Sequence, residues 1–138
     1  MASITAALRP GGLLVVQDFG WDLVDDATAE WMHAELERLG YEDVSTSCGD
    51  WLARFRSEHE ELATFGQLQF ALDGQFFKLH FEWVPYLAVE YLDADPAAQR
   101  REQTLLERGE LQPAAFRYVG TTRATGDQPI PRSELASP

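Results

Sequence analysis

Two histidines and one aspartate are the side chains of this sequence best suited to holding or moving a proton. His59 and His80 carry imidazole groups, which titrate near neutral pH and can act as general bases. Asp18 ends an apolar run and is suited to orienting a hydroxyl or amine group of a substrate. A purely structural role is the alternative for each of these three residues. Both histidines are predicted on largely apolar helical faces, where packing roles are common, and a carboxylate such as Asp18 often accepts hydrogen bonds from loop amides.

An aromatic stretch over residues 76–91 is the second feature with chemical potential. Ligand pockets are mostly apolar with a few placed polar groups, so this stretch predicts a substrate pocket that includes Trp83 and Tyr86. Pro85 between them bends the chain and can aim the two rings in different directions. Trp21, in the loop after the first predicted strand, is a further candidate binding residue. The alternative is a helix that packs its aromatic side chains against a sheet.

Other kinds of site are not indicated by the sequence. The three histidines are far apart, and no cysteine or carboxylate accompanies them at metal-ligand spacing. No Ser-His-Asp arrangement or phosphate-binding loop is visible. We therefore predict no metal site.

The composition narrows the range of partners. The chain of 138 residues has 11 basic and 23 acidic residues, a net charge of −12. Such a charge repels phosphate backbones and anionic lipids, so we expect neither nucleic acid nor a membrane as partner. Cys48, the only cysteine, cannot form an internal disulfide, which favours a reducing, cytoplasmic location.

Capping signals and apolar periodicity predict the elements that position these groups. The Pro10-Gly11-Gly12 turn leads into a strand over Leu13–Phe19, whose unbroken apolar start is typical of a strand buried on both faces. The other predicted elements are a helix from Asp25 or Asp26 to Leu39 ended by Gly40, a weak strand over residues 42–47, one long helix beginning at Asp50, a helix beginning at Asp95, and a strand over residues 115–122. We expect residues 124–138 to be a disordered tail.

Several motifs, taken in order, carry a family resemblance. They are Leu8-Arg9-Pro10-Gly11-Gly12 before an apolar strand that ends at Asp18, Leu39-Gly40-Tyr41-Glu42-Asp43-Val44, Trp83-Val84-Pro85-Tyr86-Leu87 together with Trp51 and His59, and Phe116-Arg117-Tyr118-Val119-Gly120. This ordered set resembles class I S-adenosylmethionine-dependent methyltransferases, and its third member is similar to a bacterial branch that acts on small molecules. The resemblance covers residues 1–123.

The resemblance implies an α/β fold, the C-terminal part of a Rossmann-like methyltransferase sheet. Leu13–Phe19 would be the fifth strand, residues 42–47 the sixth, and residues 115–122 an antiparallel seventh strand between them, with a mostly helical insertion at about residues 50–110. The implied function is the substrate-side portion of a methyltransferase for a small-molecule acceptor, inactive alone. The implied acceptor-binding residues are Asp18, Trp21, Trp83 and Tyr86. The alternative is a non-catalytic methyltransferase-like scaffold that pairs with another chain.

We expect cofactor binding by this chain to differ from cofactor binding in the family. In the family, S-adenosylmethionine lies on a glycine-rich loop after the first strand and on an acidic residue that ends the second strand. Here Gly11 and Gly12 precede a strand, and no βαβ unit lies ahead of them. We therefore expect this chain alone to bind no cofactor. We also expect an exposed edge of the Leu13–Phe19 strand, which favours dimers.

Overall fold

In the computed structural model, three strands form one sheet and helices lie around it. The structure describes residue 4, residues 7–41, residue 44 and residues 47–122. The strands in these ranges are β1 (Leu13–Phe19), β2 (Phe76–Val84) and β3 (Ala115–Thr122), and a 3-10 helix spans Trp21–Leu23. The helices are α1 (Asp26–Leu39), α2 (Cys48–His59), α3 (Phe65–Gln75), α4 (Leu87–Tyr91) and α5 (Pro96–Glu107). The fold is therefore mixed α/β, as predicted.

The last strand occupies the middle of the sheet. The strand order is β1-β3-β2, and β3 is antiparallel to both neighbours, so β1 and β2 run parallel to each other. β3 is antiparallel to β1 and lies beside it, as predicted. The strand on the other side of β3 differs from the prediction. That neighbour is β2 instead of residues 42–47. Val44 belongs to no strand and Ser47 caps α2, while residues 42, 43, 45 and 46 lie outside the described part, as does the tail predicted over residues 124–138.

The prediction of helix for the first half of the aromatic stretch is wrong. Phe76 ends α3 with an extended backbone (φ −124°, ψ 152°), and the strand begins there. Aromatic and branched side chains favour a pleated sheet, because they pack well across strands. A bulge between Lys78 and His80 inserts one extra residue into β2 and breaks its alternation. Pro85 follows the strand and therefore ends the strand instead of bending a helix.

Among the described residues, helix covers one face of the sheet. Side chains on the covered face, namely Leu14, Val16, Phe81, Phe116 and Tyr118, form a cluster with Leu72 of α3. The opposite, open face presents Leu13, Val15, Phe77, Val119 and Thr121. The prediction that β1 is buried on both faces is wrong: Leu13 and Val15 are about three-fifths exposed, and burial alternates along the strand.

Local capping explains where the helices begin and end. Asp25 accepts a hydrogen bond from the Thr28 N–H (2.9 Å) at the start of α1, and Gly40 ends that helix at φ +75°, a conformation that favours glycine. The long helix predicted from Asp50 is two helices. Ser47 caps α2, and a capping box of Thr64 and Gln67 starts α3.

A second apolar cluster lies among the helices at the carboxyl end of β1. Its buried members include Met32, Trp51, Phe55, Leu87 and Leu92, and Phe19, Trp21 and Tyr86 pack against them. Helices α1, α2, α4 and α5 all contribute residues to this cluster. In the described part of the chain, no helix is both long and apolar enough to cross a membrane.

Candidate functional site

The candidate site lies where β1 ends and α4 begins. The Phe19 ring, at the end of β1, stacks on the Tyr86 ring with centroids 4.7 Å apart and an interplanar angle of 14°. The His59 imidazole meets Phe19 edge-on at 5.4 Å. Tyr86 and Tyr91 contact each other in a T-shaped arrangement at 6.4 Å. We call Phe19, His59, Tyr86 and Tyr91 the aromatic cluster; two of its members are the predicted residues His59 and Tyr86.

The hydrogen bonds of His59 define its tautomer. Nδ1 lies 2.6 Å from the Phe55 carbonyl oxygen, which can only accept, so Nδ1 carries the hydrogen. In the neutral ring, Nε2 then accepts a hydrogen bond from the Tyr91 hydroxyl at 3.3 Å. His59 is half-buried. The cluster thus contains one basic nitrogen, Nε2, which is directed towards a phenol.

Both tyrosines of the cluster are neutral at physiological pH. Burial, with smaller effects of Glu90 and Asp18, raises the pKa of Tyr86 to about 12. Burial also raises the pKa of Tyr91 well above its ordinary value, and Tyr86, Glu90 and Glu58 add to the shift. Each hydroxyl therefore stays protonated and available as a hydrogen-bond donor.

A buried carboxylate holds the turn that carries Tyr86. Glu102 of α5 is 3% exposed, and it accepts hydrogen bonds from the N–H groups of Tyr86 (2.8 Å), Leu87 (3.0 Å) and Ala88 (2.9 Å). These are amides of the first turn of α4, which have no partner within their own helix. Glu102 is not predicted from the sequence, because no local motif indicates a cap supplied from 14 to 16 residues away.

Asp18 and Trp21 flank the aromatic cluster. The Phe19 N–H donates to Asp18 Oδ1 at 2.8 Å, and the carboxylate lies near enough to Tyr86 to influence its pKa. Trp21 Nε1 donates to the Leu62 carbonyl at 3.2 Å, and its ring packs on the helical cluster. Both candidates therefore lie beside the cluster, and both also make structural hydrogen bonds.

Trp83 lies apart from Tyr86, on the other side of Pro85. Its ring packs against Phe65 and Phe81, each with a centroid distance of 5.1 Å. It also lines a shallow hollow of about 220 Å³ together with Pro85, Gln103, Leu106, Glu107 and Pro113. A second hollow of about 310 Å³ adjoins it at Pro85 and Gln103. The proline bend therefore separates the two predicted acceptor residues.

His80 lies neither in the aromatic cluster nor in the hollow beside Trp83. It lies in β2, exposed, with Nε2 3.7 Å from Glu82 Oε1. The expectation of an apolar helical face around His80 is wrong, because this part of the chain is strand. Of the two candidate bases, the structure brings only His59 to the aromatic cluster.

The glycine in the loop after β1 is packed closely against a helix. The loop after β1 contains Gly20, whose N–H donates to the Ala114 carbonyl at 2.7 Å. A Cβ added at Gly20 would lie 2.5 Å from Phe65 Cβ, so this glycine permits close packing of α3 instead of leaving room for a ligand. Among the described residues, no group of three or more His, Cys, Asp or Glu side chains is arranged to hold a metal ion.

Comparisons of the chain with models of known protein families, with curated protein sequences and with solved structures found no match.

Proposed function

We propose that this chain is the acceptor-binding portion of a class I S-adenosylmethionine-dependent methyltransferase that acts on a small molecule. The supporting observation is the position of β3. The last strand is antiparallel and lies between two strands that run parallel to each other. The resemblance implies this arrangement for the fifth, seventh and sixth strands, with β2 now taking the place of the sixth.

The aromatic cluster supports the proposal through its position and its side chains. Methyl transfer depends mainly on the alignment of the acceptor, and in open α/β sheets ligands lie beyond the carboxyl ends of the parallel strands. The cluster lies at that end of β1. Tyr86 would donate a hydrogen bond to the acceptor and Phe19 would present an apolar wall. Asp18 would orient a hydroxyl or amine, and His59 Nε2 would take up the proton that the acceptor releases.

The proposed test begins with the coding DNA upstream of Met1. We expect an in-frame βαβ unit with a glycine-rich loop. The protein that includes this unit should form S-adenosylhomocysteine from S-adenosylmethionine and at least one member of a panel of small phenols, catechols and amines. Tyr86→Phe should lower kcat/KM for that acceptor about tenfold, which corresponds to about 1.4 kcal/mol, and leave the cofactor Kd unchanged. Phe70→Ala, at an 83% exposed position on α3, is the matched control.

Two results would contradict the proposal. One is the absence of such a unit together with no methyl transfer. The other is binding of S-adenosylmethionine by the chain alone with a micromolar Kd, about −8.2 kcal/mol, because its sequence lacks the glycine-rich loop and the acidic strand end that hold the cofactor in the family.

A second candidate function is a non-catalytic scaffold domain that pairs with another chain. The open face of the sheet favours it, since exposed apolar surface of this kind often marks a binding surface. The two candidates differ in the Tyr86→Phe experiment: a scaffold would keep its partner affinity and show no methyl transfer to lose.

A further inference from the structure

The open face of the sheet exposes large apolar side chains in adjacent rows. Leu13, Thr121 and Phe77 stand opposite one another across the three strands, and Val15, Val119 and His80 form the next row. Leu13, Val15 and Phe77 are 60%, 62% and 61% exposed. Leu79, in the neighbouring bulge of β2, is 51% exposed. These side chains form one apolar area, unlike single exposed residues, which are common on protein surfaces.

The polar end of the same face is already paired. Arg117 donates through Nη1 to Glu82 Oε1 at 2.7 Å and through Nη2 to Gln17 Oε1 at 3.2 Å. These three side chains form the row beyond Val15 and Val119. The open face therefore carries an ion pair of no net charge next to its apolar area, in a chain whose overall charge is −12.

We propose that the open face is the docking surface for an amphipathic α-helix of a partner protein, with an apolar stripe bordered by lysine or arginine. The outer strands of a three-stranded sheet are about 10 Å apart, close to the diameter of one helix. Leucine-type side chains at positions i, i+3, i+4 and i+7 of a helix would cover the row from Leu13 to Phe77 and the apolar part of the next row, Val15 and Val119. This surface is distinct from the aromatic cluster, and the proposal does not depend on methyltransferase activity.

Charge and area favour such a helix over a second copy of the chain. Two copies would each bring a net charge of −12, and like charges oppose association. A lasting dimer buries about 800 Å² on each partner, whereas three strands over about three residue rows offer roughly 200 Å². A helix with cationic borders is opposite in sign to the chain's net charge of −12 and needs only the width of the sheet.

The test uses a synthetic 15-residue peptide with leucine at i, i+3, i+4 and i+7 positions and lysine elsewhere. Titrated into the full chain, it should bind with a micromolar Kd and shift the backbone amide resonances of β1, β3 and β2. Val15→Gln and Phe77→Gln should each weaken binding at least tenfold. Phe70→Gln removes a more exposed ring on α3, away from the sheet face, and should change the Kd less than twofold.

Four further measurements test the proposal. A peptide of the same composition with the leucines scattered around the helix should bind at least tenfold more weakly; equal binding would show attraction by charge alone and overturn the proposal. Resonance shifts confined to other surfaces would also overturn it, as would sedimentation showing that a second copy covers the open face. Thermal unfolding of the three variants should match that of the wild type, because the replaced side chains are exposed.

Discussion

Arg101 and Glu35 form a two-pronged ion pair that ties α5 to α1. Arg101 donates through Nε to Glu35 Oε1 and through Nη2 to Oε2, both at 2.6 Å, and Arg38 Nε donates to Oε2 at 2.8 Å. Glu35 is 5% exposed. A buried carboxylate is stable only when it is paired, so the packing of these two helices depends on this contact.

Arg101→Met should lower the free energy of unfolding by about 1.5–3 kcal/mol, because Glu35 would lose two charge-assisted hydrogen bonds. Urea unfolding measures the change. Arg108→Met is the matched control: its ion pair with Glu110, at 3.9 Å, is exposed and should contribute no more than about 0.5 kcal/mol. Equal losses in the two variants would show that burial of Glu35 has no energetic consequence.

The stability of the chain should depend on Glu35 in acid. Hydrogen bonds from Arg101, with help from Arg38 and against the effect of burial, lower the pKa of Glu35 below 4.5. The folded state then binds fewer protons than the unfolded state, so the contribution is complete above pH 4.5 and is lost as the pH falls through the folded pKa. Urea midpoints measured from pH 3 to 6 should fall more steeply for the wild type than for Glu35→Gln. Parallel curves would contradict the assignment.

Ala94→Gly should stabilise the chain. Asp93 and Ala94, between α4 and α5, have φ values of 50° and 54°, where a Cβ is unfavourable. Glycine relieves this strain but adds freedom to the unfolded chain, and the net gain should be about 0.5–1 kcal/mol. Ala34→Gly, in the middle of α1, should have the opposite sign, a loss of about 1 kcal/mol. A loss in both variants, measured by thermal unfolding, would argue against strain at Ala94.

Glu102→Ala should be among the most destabilising changes, with a loss of about 2–4 kcal/mol, because three amides of α4 would lose their acceptor in a buried place. Glu107→Ala, exposed at the end of the same helix, should stay within about 0.5 kcal/mol. Tyrosine titration provides a second readout. Released from its turn, Tyr86 should ionise closer to pH 10, its ordinary value, than to 12. A large loss of stability with an unchanged titration would mean that Glu102 does not position Tyr86.

The parts of the fold that the sequence predicts well are those set by neighbouring residues. Asp25 and Gly40 bound α1 as expected, and Asp95 with Pro96 begins α5. The strands β1 and β3 follow from their apolar and alternating patterns. β2 escaped prediction because the bulge after Lys78 breaks its two-residue period and brings the spacing of its aromatic residues closer to that of a helix.

The candidate site was predictable in its residue types and less so in its arrangement. His59 and Tyr86 meet because α2 and the turn after β2 both pack on Phe19, which no local pattern indicates. Trp83 and His80 are close to Tyr86 in the sequence, yet the strand directs them to other surfaces. Glu102 acts on a turn that precedes its own helix, and only the packing of α4 on α5 brings the two together.

The central position of β3 has a consequence for how the chain is made. Phe19 pairs with Ala115 and Val84 with the same residue, so within the described part of the chain β1 and β2 have no strand partner until β3 has been synthesised. During translation, both strands would therefore leave the ribosome with unpaired backbone edges, and sheet formation would wait for nearly the whole of residues 13–122. Helices α1 and α2 contact each other and can fold earlier. A chaperone that binds the nascent chain would thus contact folded helices and two strands whose backbone edges are unpaired.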